Sequence, residues 1–309
     1  MFKYVDTFSY AMFIEIRQVG KKSKYYLIHT YRVGDKVKRI SRYLGSNLSE
    51  NSLGILRKRA DELILAQMNG KNMFDIELTE DEIKYFRGFD AKIEVFHLQG
   101  LDWKRFSEDF AYNTNAIEGS AVSHSTVKSL VENKEAPKND DELESVSVAK
   151  AVDYIRTTEQ DFSVSLIKMI HKICFKSTKS FAGMLRNVDV VIRDSLGRVV
   201  HQGAAPKDII NMLNDLVRWY GKNKKKYPPL LLAALVHNQF ERIHPFQDGN
   251  GRVGRLLLNY VLVRHKYPPI NIRLKDRARY YQTLQEFDRT GDIRPTLRFL
   301  ILEYRKQYK

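Results

Sequence analysis

The chain has 309 residues, of which 43% are hydrophobic and 29% charged, and its formal charge is +15. That length and mix suit one large or two smaller globular domains, and no apolar run approaches the roughly 18 residues a membrane span needs. MFKYVDTFSYAMF lacks the basic head, apolar centre and cleavage site of a signal peptide, and the single Cys174 excludes an internal disulfide. A reducing, cytoplasmic setting with no membrane partner is therefore expected. Cys174, within the apolar IHKICF, reads as a small core residue rather than a nucleophile. The positive charge favours a polyanionic partner without choosing among nucleic acid, nucleotide phosphates and an acidic protein surface.

Residues 1–45 predict a small basic β-sheet module. YAMFIEIRQV, KYYLIHTYRV and KVKRISRYL alternate as strands do, and Gly34-Asp35 suits a tight turn between the last two. Basic residues outnumber acidic ones ten to three here, with Lys24, Arg32, Lys36, Lys38, Arg39 and Arg42 interleaved among tyrosines. Nucleic-acid or partner docking is one consequence, and a solvated lysine face is the other. Residues 46–99 follow as a helical linker region, with a capping box at Thr79–Glu82. Further helical periodicity covers 101–117, 124–133, 142–157, 163–175, 208–221, 229–242, 250–265, 275–289 and 295–306. Within it RNVDVVIRDSLGRVVHQ, residues 186–202, alternates around Ser195-Leu196-Gly197 and predicts an inserted β-hairpin.

The densest chemistry lies in IHPFQDGNGR, residues 243–252. Pro245 disfavours helix at His244, and helical periodicity resumes near Gly249-Asn250-Gly251, which makes this stretch a helix–loop–helix corner. A loop feeding a helix start presents free amides and a positive dipole end to an anion. Glycines allow close approach, and Arg252 and Arg255, three apart, put two guanidinium groups on one face. A neutral His244 beside a phosphate could take a proton from an attacking hydroxyl. Asp248 beside the same phosphate calls for a cation between them, which suggests a Mg²⁺ ligand. Phe246 is expected buried, anchoring the loop. The competing reading is a structural corner in which His244 caps a helix and Asp248 pairs with Arg252. His237 and His171 read as buried structural histidines.

HPFQDGNGR followed by Arg255 matches the signature HxFx(D/E)GNGRxxR without a mismatch. On those residues the chain resembles the Fic (filamentation induced by cAMP) family over about residues 100 to 308. The resemblance implies a mainly α fold: a Fic-type helical domain, 100–309, with an inserted hairpin flap, preceded by the β module and helical linker. It implies transfer of AMP from ATP to a protein hydroxyl (Ser, Thr or Tyr), on a target or on the protein itself. By the same likeness His244 is the base and Asp248 holds Mg²⁺. Phe246, Gly249, Asn250, Gly251, Arg252 and Arg255 form the nucleotide site, with the two arginines on the β- and γ-phosphates. Relatives that phosphorylate carry lysine at the place of Gly251. The flap would dock a target strand along Val190, Val191 and Ile192. DRARYYQTL resembles the helix beside the adenine, which would put Tyr281, and Tyr280 with it, at the nucleoside; at Asp288 one branch of the family has asparagine instead.

TNAIEGS, residues 114–120, fits the family's inhibitory motif (S/T)xxxE(G/N) through Thr114, Glu118 and Gly119. It would end an inhibitory helix spanning about 101–119. A Glu118 carboxylate on Arg255 would occupy the guanidinium meant for the γ-phosphate and repel that phosphate. Two other functions stay open at this point: a de-AMPylating hydrolase that uses Glu118, and a nucleic-acid-binding regulator acting through residues 1–45. The oligomeric state, a homodimer included, is open as well.

Overall fold

A computed structural model describes residues 12–20, 22–33, 36–68, 79–90, 100–133, 135–193 and 199–308. The turns expected at Gly34-Asp35 and Ser195–Gly197, and much of the 46–99 linker, lie outside these. The chain divides into two compact units, one drawn from Met1–Asp75 with Val191–Ala205, the other from Ile76–Val190 with Pro206–Lys309.

In the first unit β1 (Phe13–Val19), β2 (Lys22–Val33) and β3 (Lys36–Ser46) form an antiparallel sheet in that order. Period-2 alternation turns Leu27, Ile40 and Leu44 to one face, where α1 (Glu50–Met68) covers them with Leu56, Ala60 and Ile64. On the opposite face, part of the positive charge is answered locally. Glu15 pairs with both Arg17, at 2.6 Å, and Arg39, while Arg17 lies over the Tyr26 ring. The same unit contains a hairpin of β4 (Val191–Arg193) and β5 (Val199–Gln202). Its first strand begins later than residue 186, and Val190 precedes it, so only Val191 and Ile192 of the expected docking strand are strand residues. The reason lies at Arg186, whose N–H donates to the Pro245 carbonyl at 3.0 Å and so is spent on another loop.

The second unit is helical: α2 (Glu80–Asp90), α3 (Trp103–Ile117), α4 (His124–Glu132), α5 (Asp140–Thr157), α6 (Val164–Phe175), α7 (Ile209–Asn223), α8 (Pro229–Ile243), α9 (Asn250–Arg264), α10 (Arg277–Thr290) and α11 (Arg294–Gln307). Local chemistry sets the helix starts. Asp102, Ser123, Asn139 and Ser163 each accept from a backbone N–H three residues on, and Thr79 and Glu82 exchange the two bonds of a capping box. α8 and α9 form the centre, with every residue from Leu230 to Phe240 and from Arg252 to Val263 buried. Helices apolar on all sides must be enclosed; α5, α6 and α3 pack on α9, and α7, α10 and α11 on α8. The loop between the two central helices, residues 244–249, is thereby fixed at both ends by the best-packed elements of the unit.

Candidate active site

His244 ends α8 in the left-handed conformation (φ 51°, ψ 61°), an unusual state for a non-glycine residue ahead of proline. The surroundings enforce it. The buried Arg186 guanidinium donates from Nε to the His244 carbonyl at 2.7 Å, from Nη1 to the Val188 carbonyl at 2.6 Å and from Nη2 to the Ile243 carbonyl at 3.5 Å. Burial pushes its pKa down to about 10, which leaves it charged at neutral pH. Nothing in the sequence pattern singled Arg186 out.

Phe246 is fully buried and stacks on His171, with ring centroids 3.9 Å apart. His171 holds the loop as well as filling the core. Its Nδ1 accepts from the Gly183 N–H at 2.7 Å, so Nε2 carries the proton and donates to the Asp248 carbonyl at 3.1 Å. Burial lowers its pKa to about 4, so the ring is neutral. Asn250 has a structural task. Its amide bridges the Phe246 N–H and carbonyl, both at 2.8 Å, so the side chain staples the loop and the backbone is left to meet an anion.

Gly249, at φ 79°, precedes α9 with no side-chain cap, leaving the amides of the first turn for a ligand. A Cβ on Gly249 would collide with the Phe175 ring. One on Gly251 would meet a carboxylate oxygen, Glu118 Oε1. An acid therefore lies against the start of α9, where an anion belongs. Glu118 gets there as the residue that closes α3, with Gly119 at φ 104° turning the chain away. Its Oε1 accepts from Arg255 Nη2 at 2.7 Å. Thr114 holds the same guanidinium, its hydroxyl accepting from Nε at 2.7 Å and its carbonyl from Nη2 at 3.0 Å. Burial opposes the charge on Arg255, but Glu118, with Tyr280 and Tyr281 beside it, outweighs this, and the guanidinium holds its proton more tightly than usual. Arg252, also buried, reaches Glu144 and Asn115 and lies over the Phe175 ring, so the two arginines are anchored by different neighbours.

Asp248 is half exposed. Its Oδ1 accepts the Gly249 N–H at 2.6 Å with Arg252 at 3.7 Å, and its Oδ2 holds Lys179 Nζ at 2.9 Å. The pairing foreseen for a structural corner thus coexists with the anion cradle. Burial works against ionisation of Asp248, yet Lys179 and Arg252 bring its pKa below the usual value. Among the described residues no cluster of three or more His, Cys, Asp or Glu forms a metal cage. One carboxylate that already attracts a cation, beside a phosphate-sized cradle, fits Mg²⁺, which keeps its waters and shares substrate phosphates.

Tyr280 is buried behind Arg255, with its hydroxyl 3.0 Å from His237 Nε2 and 3.5 Å from Arg255 Nη1. Tyr281 donates to the Ile117 carbonyl at 3.3 Å, tying α10 to the end of α3. Asp288 is buried 3.9 Å from Arg242. Cys174 is buried and its thiol is pushed up to about 12, as suits a core residue.

Glu241, one turn before His244, lies against Gly254 with Oε1 shielded from solvent and without a hydrogen-bond partner. Burial, opposed by Arg255 and reinforced by Glu118, lifts its pKa from 4.5 to about 8. The folded state therefore binds this proton more tightly than the unfolded one, so its contribution is lost as pH rises towards 8. Buried His237, lowered to about 3, and His171 act with the opposite sign, but only below the unfolded histidine value. Between pH 7 and 8.5 Glu241 should cost about 1 kcal/mol of stability. Denaturant titrations at both pH values should show this decline in the wild type and its loss in Glu241→Gln.

The fold and site together define a helical domain whose central corner sets a helix start and two buried arginines beside a histidine and a carboxylate. The sequence model of the Fic/DOC family matches residues 161–262. It is 34% identical over 198 residues to a Protein adenylyltransferase Fic of Nematostella vectensis, covering 61% of this chain and 45% of that protein. It is 26% identical over 226 residues to Protein adenylyltransferase fic-1 of Caenorhabditis elegans, covering 68% and 43%. The chain thus spans less than half the length of these curated relatives. A Fic-domain signalling protein from Bacteroides thetaiotaomicron superposes with a TM-score of 0.63 at 27% identity, covering 72% of this chain and 94% of that one. Fic-1 of C. elegans shares the fold, with a TM-score of 0.62 at 22% identity. No helix among the described residues is long and apolar enough to cross a membrane.

Proposed function

We propose that this protein is an autoinhibited protein adenylyltransferase, moving AMP from ATP to a hydroxyl side chain of a target protein or of itself. The observation that carries this reading is the Glu118 carboxylate lying against Gly251 and Arg255. An acid already occupies the place where a phosphate would bind, at a helix start flanked by His244 and Asp248. In the free site the amides of Asn250 and Gly251 and the guanidinium groups of Arg252 and Arg255 bind the β- and γ-phosphates. His244 accepts the proton of the target hydroxyl as its oxygen attacks the α-phosphorus; the bond to the β-phosphate oxygen breaks and pyrophosphate leaves. Mg²⁺ held at Asp248 would neutralise charge on the phosphates and the leaving group. Phe246 keeps the loop in place from below. Tyr281 lines the nucleoside side of the site. β4 has one strand neighbour among the described residues, and its other edge, through Val191 and Ile192, would take an extended target segment.

The test uses Glu118→Gly protein with Mg²⁺ and ATP labelled at either the α- or the γ-phosphate, alone and in lysate. Label from the α position should stay on protein and label from the γ position should not. Adding His244→Ala should reduce incorporation at least about 100-fold, the usual lower bound for a general base. Retained γ-label, or α-label unaffected by His244→Ala, would overturn the proposed reaction.

A further inference from the structure

Lys179 lies in the turns beyond α6, in a stretch with no sequence signal. Its ammonium touches two acids: Asp248 Oδ2 at 2.9 Å and Glu144 Oε1 at 3.5 Å. Glu144 is buried, and it also takes Arg252 and accepts the Thr178 hydroxyl at 2.8 Å. Two acids and two cations thus form a closed, neutral quartet at the mouth of the anion cradle. Its members differ in freedom. Arg252 is buried under the loop and Oδ1 of Asp248 is fixed by the adjacent Gly249 amide, whereas the Lys179 side chain is 29% exposed on a flexible stem. Oδ2 is therefore the oxygen with a replaceable partner.

We propose that Lys179 is a positioning residue that gates the metal: it holds Asp248 in the nucleotide-free protein and yields that carboxylate only when a polyphosphate arrives. This rests on Asp248 being the metal ligand of the proposed transferase. A divalent ion approaches a carboxylate oxygen to roughly 2.0–2.1 Å, which places two like charges within a few ångströms if the ammonium stays. A bare ion entering a neutral quartet meets that repulsion with nothing to offset it. An ion arriving with a triphosphate brings negative charge, which Lys179 can follow while Glu144 still steadies it. Metal and nucleotide binding become coupled, and the coupling runs through one side chain.

Direct binding of Mn²⁺, followed by electron paramagnetic resonance on the full chain, tests this without and with a non-hydrolysable ATP analogue. Lys179→Met should bind Mn²⁺ at least about tenfold more tightly than the wild type without nucleotide, the effect of removing one charge from a partly screened site. Lys179→Arg should bind as weakly as the wild type. With the analogue present, the gap between Lys179→Met and the wild type should close. If Lys179→Met does not fold, judged by its melting curve, Lys179→Gln serves the same comparison. Asp248→Ala separates the two levels. Loss of Mn²⁺ in Asp248→Ala, with equal nucleotide-free affinities in Lys179→Met and wild type, would overturn the gate alone. Unchanged Mn²⁺ binding in Asp248→Ala would overturn the metal site and the gate with it.

Discussion

Glu118→Gly should raise AMP incorporation by about 10- to 100-fold, the equivalent of one charge-assisted hydrogen bond of 1.5–3 kcal/mol. The bond removed is the one between Oε1 and Arg255 Nη2, at 2.7 Å, and the carboxylate that goes with it covers Gly251 at the start of α9. Two obstacles therefore disappear together: a competitor for the guanidinium and a negative charge in the path of the γ-phosphate. Arg255 should not lose its place, because Thr114 still holds Nε and Nη2 through its hydroxyl and carbonyl. Glu118→Gln separates the two obstacles. It keeps the side chain's bulk and discards its charge, so its rate should fall between wild type and Glu118→Gly. Initial rates with α-labelled ATP, paired with the dissociation constant for ATP, check this. A Glu118→Gly rate equal to wild type would sink autoinhibition. A Glu118-dependent hydrolase is read separately, on an AMP-modified target: it would strip the label with wild type and leave it in place with Glu118→Gly.

What could be read from the sequence follows from how far apart interacting residues lie along it. Helices α3 to α11 declare themselves by periodicity, and α3 to α6 by side-chain caps as well, each decided within a turn or two. The corner from His244 to Arg255 is legible because its donors, acid and glycines share a dozen positions and act through backbone geometry that those residue types dictate. Glu118 was legible for a different reason: a helix end and its glycine mark it locally, although its partner Arg255 is 137 positions away. No such mark exists for Glu144, which reaches Arg252 across 108 positions from the middle of a helix, or for Lys179 in a polar turn. Buried ion pairs of this kind are decided by packing, and a lysine or glutamate in a helical pattern reads equally well as a solvated face. Asn250 shows a task that its residue type does not announce. Its residue type fits a phosphate ligand, but a staple on Phe246 satisfies the same hydrogen-bonding groups. The shortened hairpin has the same origin, since the alternation around 186–190 could not reveal that the Arg186 amide pairs with Pro245.

Arg186 carries the second large effect. Arg186→Met keeps much of the side chain's volume and removes every donor, leaving the carbonyls of Ile243, His244 and Val188 without the guanidinium that satisfies them. Each buried polar group left unpaired costs about 1–3 kcal/mol, so a loss of roughly 2–4 kcal/mol in stability is expected. Lysine cannot rescue it, because a single ammonium on a flexible stem does not reproduce a planar fork aimed at carbonyls in several directions. The greater consequence is geometric. His244 sits at φ 51° with Pro245 behind it, a conformation that the backbone does not favour by itself. Without the clamp, the end of α8 should relax and carry the imidazole with it; a displacement of about 1 Å at a catalytic group costs on the order of 100-fold in rate. The anion cradle is built by α9, Asn250 and the His171–Phe246 stack, none of which Arg186 touches through its side chain. Incorporation by Arg186→Met on the Glu118→Gly background should therefore fall about 100-fold at temperatures below its melting point, with the dissociation constant for ATP little changed. Equal losses in rate and in ATP affinity would mean that the whole corner had collapsed, and an unchanged rate would mean that His244 is held by something other than this guanidinium.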